Sequence, residues 1–269
     1  MKLEKRVANW IDLGIRPYDK TMSIQNALVK LRAGDAVRDT ILAVQHPLCI
    51  NFGASRINNQ FSELLRSRVR EKYGSDEHEF IIRYLSDQGV LFYQSDRGGG
   101  ATVFAPGQYI FYPIVKHSAI TQKPSIDIGT YKSKVYGVLF DSLNNLGVKE
   151  INVSDQQQFR DRNERRDIWL HRNGKTLKMG SKGIKISADV AYHGFALYVD
   201  AESVKPNELV NQCGYTPEEV TLWTVEQELG RKIVPYEVYA AVQDAFRKNF
   251  GYSGFVEHSG LPVAAEAVR

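Results

Sequence analysis

Gly89-Val90-Leu91-Phe92-Tyr93-Gln94 runs through Ser95-Asp96 into Arg97-Gly98-Gly99-Gly100, then through Ala101 to Thr102-Val103-Phe104, Ala105-Pro106-Gly107-Gln108 and Tyr109 to Val115. The first run is aromatic and branched and reads as a strand. Thr102 to Phe104 and Tyr109 to Val115 read as two more, divided by a Pro-Gly turn. No helix falls between them, which speaks against the βαβ rhythm of a parallel sheet. The glycines form neither a GxGxxG element opening a helix nor GxxxxGK[ST], so the usual dinucleotide and nucleotide loops are set aside. Three glycines in a row cost backbone entropy, and an ordered chain keeps them where it turns tightly or lies against a ligand. The loop therefore reads as a phosphate cradle, a place where a ligand chain passes the backbone, or a plain hairpin connection.

Upstream, Ser23 to Leu31 reads as a short helix ending near Gly34. Thr40 to Gln45 has a buried-strand pattern that Leu48 to Phe52 continues, and Phe61 to Tyr73 places Leu64, Leu65 and Val69 on one helical face. Downstream, a longer helix covers Gly129 to Leu146 and closes at Gly147, with Tyr131, Val135, Val138, Leu139 and Leu143 on its apolar face. Strand-like pieces follow at Val148 to Val153, Ile168 to His171, Lys178 to Ile186 and Phe195 to Val199. Thr216-Pro217-Glu218-Glu219 carries a capping-box start, and Tyr236 to Phe246 forms a last helix. The implied class is α+β, a mixed and largely antiparallel sheet flanked by helices. No linker or repeat divides the chain, so residues 1–269 read as one domain with a motif-bearing core at about 40–220. The N-terminal lead and the segment beyond Gly230 are read as caps on that core.

Hydrophobic residues at 43% and charged residues at 25% are ordinary for a globular chain that buries its own core. A net charge of +4 is mildly basic, far short of a nucleic-acid footprint, and Arg160 to Arg166 interleaves acids with its arginines. No apolar stretch has signal-peptide or membrane-spanning character, so a cytoplasmic, membrane-free protein is expected. In that compartment Cys49 and Cys213 serve packing, metal or reactivity rather than crosslinking.

Cys49 falls in an apolar strand pattern and reads as core. Cys213, in Asn211-Gln212-Cys213-Gly214, lies just before a helix start, where a helix N-terminus and a nearby cation both favour thiolate. Lys178-Met179-Gly180-Ser181-Lys182-Gly183-Ile184-Lys185-Ile186 reads as a strand with open space at its glycines, or as a solvated lysine edge. His193-Gly194-Phe195-Ala196-Leu197 leads into another strand, its histidine either structural or catalytic.

Taken in order, these stretches resemble the octanoyl-carrier-protein:protein octanoyltransferases, whose fold is that of the biotin/lipoate protein ligases. The family's RGGxxTxHGPGQ loop is matched by Arg97-Gly98-Gly99, Thr102 and Pro106-Gly107-Gln108. Its KxxxxGxxx strand is matched by Lys178 and Gly183 to Ile186, its HGxALNV strand by His193 to Val199, and its PCG loop by Cys213-Gly214. His46-Pro47 resembles an early HP element, and Ile168-Trp169-Leu170 a tryptophan strand. The resemblance implies catalysis by Cys213 with Lys178, no cofactor, acyl carrier protein as donor and lipoyl-domain proteins as acceptor. It implies a substrate site made by Arg97, Gly98, Gly99, Gly100, Ala101, Thr102, Val103 and Phe104, by Ser181, Lys182 and Gly183, and by His193, Gly194, Phe195 and Ala196. The Gly214 amide is an oxyanion candidate. Phe104 and Ala105 replace the usual histidine and glycine, Gln212 the usual proline and Tyr198 the usual asparagine; Lys182 stands where an apolar residue is common.

Three other readings stay open. An ATP-dependent lipoate–protein ligase would share the fold, an amidotransferase between lipoyl proteins would share the thioester, and a non-catalytic relative would bind the same partners without chemistry. The need for ATP separates the first, the donor the second, and an acyl-enzyme the third.

Overall fold

The computed structural model describes residues 6–54, 60–97, 100–121, 127–153, 168–172, 174–211 and 220–258. Its centre is β6 (Gln108–Lys116), whose nine residues are almost all buried. Alternation along this strand sends Tyr109, Phe111 and Val115 into one apolar cluster and Ile110, Tyr112 and Ile114 into another. A strand apolar on both faces must be covered on both. Helix α1 (Tyr18–Ala33) packs on one side. On the other lie α5 (Ile128–Leu146) and α7 (Pro235–Phe250), which pack against each other.

Around β6 a six-stranded sheet runs in the order β10 (Gly180–Ser187), β11 (Val190–Tyr198), β6, β2 (Thr40–Gln45), β1 (Val7–Ile15) and β13 (Gly254–His258). The first three pairings are antiparallel, the last two parallel. A second sheet orders β12 (Thr221–Leu222), β9 (Lys175–Lys178), β8 (Ile168–Arg172) and β7 (Asn152–Val153). A third places β3 (Cys49–Phe52) between β4 (Leu91–Gln94) and β5 (Ala101–Phe104). The expected mixed, largely antiparallel fold is the one observed. No helix among the described residues is long and apolar enough to cross a membrane.

Several expectations need correction. Leu48 to Phe52 does not extend the main sheet: among the described residues β3 pairs with β4 and β5, in a sheet of its own. The strands on either side of the Arg97 loop do not pair as a hairpin: β4 and β5 lie on opposite edges of β3. The Lys178 to Ile186 stretch is two strands in two sheets, parted at Met179. The first helix starts at Tyr18, and the N-terminal lead is strand β1 inside the main sheet. Two helices, α2 (Glu63–Tyr73) and α3 (His78–Ser86), cover the third sheet through Leu65, Val69, Ile81 and Leu85. Two short helices complete the chain order, α4 (His117–Thr121) and α6 (Val225–Leu229). The expected helix start at Thr216 lies outside the described residues.

Gly194 sets how closely β11 approaches β6. A Cβ at this position would stand 2.0 Å from the Phe111 carbonyl oxygen and 2.6 Å from Pro113 Cδ. Backbone and a proline ring are poorly placed to yield. Gly194→Ala is therefore expected to destabilise the fold by about 3 kcal/mol, at the upper end of overpacking costs. Urea unfolding measures this; a loss below about 0.5 kcal/mol would show that β11 can move away freely.

Candidate functional site

The site lies on the face of the main sheet that carries α1. Ile110 and Tyr112 of β6 and Gly194, Ala196 and Tyr198 of β11 form its floor. Arg97, Thr102 and Phe104 line one wall, Ser181 to Gly183 of β10 another, and Tyr18 of α1 leans over it. Three separately coded stretches, the glycine loop, the lysine strand and the histidine strand, thus meet at one cleft.

His193 shows how the backbone is bent to serve it. Plain alternation would send Tyr192 and His193 to opposite faces. His193 instead has a φ of 58°, a left-handed conformation uncommon outside glycine. Its ring stacks on Tyr192 at 4.9 Å, so both rings reach the α1 side. Between Ala191↔Val115 and Phe195↔Phe111 the ladder to β6 is interrupted, where Pro113 has no N–H to offer. The freed His193 N–H donates to Gln25 Oε1 at 2.9 Å. Its Nε2–H donates to Asp96 Oδ1 at 2.9 Å, and Nδ1 accepts from Gln25 Nε2 at 3.4 Å. The imidazole is neutral in this arrangement. Burial lowers its pKa against the pull of Asp96, whose own pKa is held down, against its partial burial, by Lys185 and His193. His193 thus ties the base of the Arg97 loop to β11.

Arg97 holds the loop from within. Its Nε donates to Asn51 Oδ1 at 2.7 Å, and one terminal nitrogen donates to the carbonyls of Asn51 at 2.8 Å and Gly100 at 2.7 Å. The turn into β6 relies on Gly107, with a φ of +87°, where a Cβ would stand 2.5 Å from that of Asp200. The amide of Gly107 donates to Gln45 Oε1 at 2.7 Å.

Phe104 stacks on Tyr18 with ring centroids 5.7 Å apart and meets the edge of His46 at 5.2 Å. The His46 Nδ1–H donates to the Arg16 carbonyl at 2.7 Å, which leaves Nε2 to accept from the Tyr112 hydroxyl at 3.0 Å. Burial, only partly opposed by the Arg16 carbonyl, lowers the His46 pKa from 6.5 to about 4. A histidine depressed in the fold leaves stability intact above pH 6.5 and erodes it as the pH falls toward 4. The loss attributable to His46 is about 3 kcal/mol at the acid end. His46→Gln is expected to flatten the fall in urea-unfolding free energy between pH 7 and 4; an unchanged slope would assign the acid sensitivity elsewhere.

Of the expected site residues, Arg97, Thr102, Phe104, Ser181, Lys182, Gly183, His193, Gly194, Phe195 and Ala196 border the cleft. Ala101 and Val103 point away into the core beneath the third sheet, and Gly100 serves as a carbonyl anchor for Arg97. Lys182 reaches over the Tyr136 ring, 5.8 Å from its centroid, which gives this unusual lysine an aromatic partner. Tyr198, in the place of an asparagine, shares a 2.6 Å hydrogen bond with Ser181 Oγ. Tyr18, Gln108, Ile110, Tyr112 and Tyr198 also line the cleft and were not singled out as site residues from the sequence. The alternation of Gln108, Ile110 and Tyr112 was a usable signal for three of them; Tyr18 had none.

Lys178 ends β9, at the seam between two sheets. It is only 1% exposed, and lysine is rarely so deeply buried unless paired. Its backbone is held on both sides, opposite Trp169 of β8 and Leu222 of β12, and its carbonyl accepts from Trp223 N–H at 2.9 Å. Cys213, Gly214, Gly98 and Gly99 lie outside the described residues. The segment that bears Cys213 is flanked by anchored ends. Asn211 donates its amide to the Gln60 carbonyl at 2.8 Å, and Thr221–Leu222 pairs with Leu177–Lys178. Cys49 is buried, and burial pushes its thiol up to about 12. It is packing, as expected from its strand, and no nucleophile at neutral pH.

An octanoyltransferase of Koribacter versatilis is 27% identical over 90% of this chain and 82% of its own length. One from Roseiflexus sp. is 30% identical over 82% and 78%. Among solved structures, a lipoate-protein ligase A bound with ATP aligns with a TM-score of 0.66 at 11% identity, covering 97% of this chain and 92% of that one. The bipartite lipoate protein ligase of Thermoplasma acidophilum aligns with a TM-score of 0.65 at 13% identity, covering 97% and 90%. At such identities the structures speak for the fold, which is that of the lipoate protein ligases. The family model of the lipoyl protein ligase A/B catalytic domain matches residues 17–247. A match running from the first helix into the last makes this chain a member of the lipoyl protein ligase A/B catalytic-domain family.

Proposed function

We propose that this chain is an octanoyltransferase of lipoate biosynthesis, moving an octanoyl group from acyl carrier protein to a lysine of a lipoyl domain through a thioester at Cys213. The observation that carries this reading is the relatives named octanoyltransferase, which align over most of both chains. The site supports it. An apolar floor of Ile110 and Ala196 suits an alkyl chain. Each buried methylene contributes about 0.8 kcal/mol to binding.

In the first step the Cys213 thiolate attacks the carbonyl of the octanoyl thioester. A carbon–sulfur bond forms, the carrier thiolate leaves, and it takes up the proton that Cys213 gave up. In the second step the ε-amine of the acceptor lysine attacks the carbonyl of this acyl-enzyme; a carbon–nitrogen bond forms, the carbon–sulfur bond to Cys213 breaks, and the departing thiolate takes up the proton lost by the amine. Exchange between thioesters is nearly balanced and amide formation runs downhill, so no ATP enters. Lys178, as an ammonium beside the thiol, favours thiolate and relays the proton. The Gly214 amide stabilises the oxyanion. The setting is cytoplasmic, and the chain acts as one catalytic domain.

The test is transfer from octanoyl-carrier protein to a purified lipoyl domain, read by mass with ATP omitted. Octanoylated acceptor without ATP is the expected result. Acylation only when ATP is supplied would replace the proposal with an ATP-dependent ligase.

A further inference from the structure

Tyr18 presents an anomaly at the cleft. The residue is 3% exposed, and its hydroxyl has no hydrogen-bond partner. Ser95 Oγ, which donates to Asn51 Oδ1 at 2.8 Å, acts on the phenol as a hydrogen-bonding neighbour but does not close a hydrogen bond of ordinary geometry with it. Buried hydroxyls are normally satisfied, and an orphan one has a cost that folding alone does not recover. The ring is held firmly: it stacks on Phe104, meets His46 at 5.3 Å and touches Tyr93 at 5.2 Å. A fixed, unpartnered donor bordering a binding cleft is the preorganised arrangement that ligand recognition uses.

The chemistry of its surroundings narrows the ligand. The Arg97 guanidinium borders the same cleft as Tyr18; burial dominates the phenol, with the Arg97 charge opposing burial and the Asp96 carboxylate opposing Arg97 more weakly. A donor beside a cation suits an oxygen bearing partial negative charge. An octanoyl chain is apolar along its length; its thioester carbonyl is where such an oxygen sits. Phe104 provides no donor in the loop where the resembled family has a histidine, and Tyr18, stacked on that phenylalanine, provides one from another element.

We infer that the Tyr18 hydroxyl donates a hydrogen bond to the carbonyl oxygen of the bound acyl thioester, holding it for attack. The inference rests on the acyl-transfer reading above. Tyr18 is then a substrate-binding residue contributed by α1.

The test compares the full-length parent and Tyr18→Phe with octanoyl thioester labelled with ¹³C at its carbonyl, following acyl-enzyme formation by mass and the carbonyl band by infrared difference spectroscopy. Absence of any adduct on the parent would defeat the acyl-transfer reading itself. With an adduct on the parent, Tyr18→Phe is expected to form it about tenfold to a hundredfold more slowly, the worth of one buried hydrogen bond. Its carbonyl band should move to higher frequency while its melting temperature holds or rises, since removing a buried unpartnered hydroxyl relieves a cost. An unchanged rate and band would overturn the inference. So would a fall in melting temperature with an unmoved band, which would make the hydroxyl structural. Should the variant fail to fold, the parent alone decides: its adduct band must lie below that of the same adduct in denaturant, and equal frequencies would overturn the inference.

Discussion

Replacing Lys178 with methionine is expected to lower kcat for octanoyl transfer about 100- to 1,000-fold with little change in KM, the range for loss of a positioned proton-transfer group. The side chain is one of the largest fully buried among the described residues, so the change also alters the interior. Methionine has nearly the length and shape of lysine. Lys178 has partners in the interior, and taking one member out of a buried interaction leaves the other uncompensated, so some stability is lost as well. Activity should nonetheless fall much further than stability: a large drop in kcat in a variant that still unfolds cooperatively at a somewhat lower melting temperature. If Lys178 favours the Cys213 thiolate, the pH at which Cys213 is alkylated by iodoacetamide should move upward in the variant. Cys49, buried and with its thiol pushed up to about 12, should stay silent in the same experiment. A variant that keeps full activity would remove Lys178 from the mechanism. One that unfolds would make its role structural.

Replacing Cys213 with alanine is expected to abolish transfer to the lipoyl domain while leaving the affinity for octanoyl thioester within about threefold. The reason is chemical. In the proposed scheme the acyl group is held on Cys213 between donor and acceptor, and alanine has no atom to hold it. The groups that line the cleft, including Arg97, Tyr18 and the β10–β11 hairpin, are untouched. Isothermal titration with octanoyl thioester and a transfer assay together separate the effects. Transfer at more than a tenth of the parent rate would mean direct passage from donor to acceptor.

Local periodicity made several elements readable before any coordinates. Strand β2 has the expected bounds, and α5 differs by a single residue at its start. Both have apolar spacing that allows one reading, and the expected face of α5, from Tyr131 to Leu143, is buried throughout. What failed was pairing, a long-range property. Leu48 to Phe52 is a strand as expected, yet nothing in its own residues tells that it sits between β4 and β5 and not beside β2. The break at Met179 is of the same kind, since Lys178 and Gly180 look like one strand until their neighbours, β12 and β11, are known. Strand β1 went unassigned because its burial pattern fades after Ile11, and only its position between β2 and β13 makes it central.

The site was legible as motif order, not as contact. Spacing alone did not show that His193 would turn through a left-handed φ to hold Asp96. Nor did it show that the Ala188-Asp189 turn between β10 and β11 would have both residues at positive φ, with the Asp189 carboxylate accepting from the Ser118 amide at 3.0 Å. Tyr18 illustrates the limit most clearly. It stands far from every glycine and lysine of the motifs, and only the packing of α1 across β6 and β11 brings it over Phe104.

The most direct measurement is the intact mass of the protein after mixing with octanoyl-carrier thioester, without ATP or acceptor, followed by peptide mapping. The account predicts one octanoyl adduct, located on Cys213 and absent from Cys213→Ala. An unmodified protein that nonetheless transfers octanoyl, or an adduct on any other residue, would contradict it.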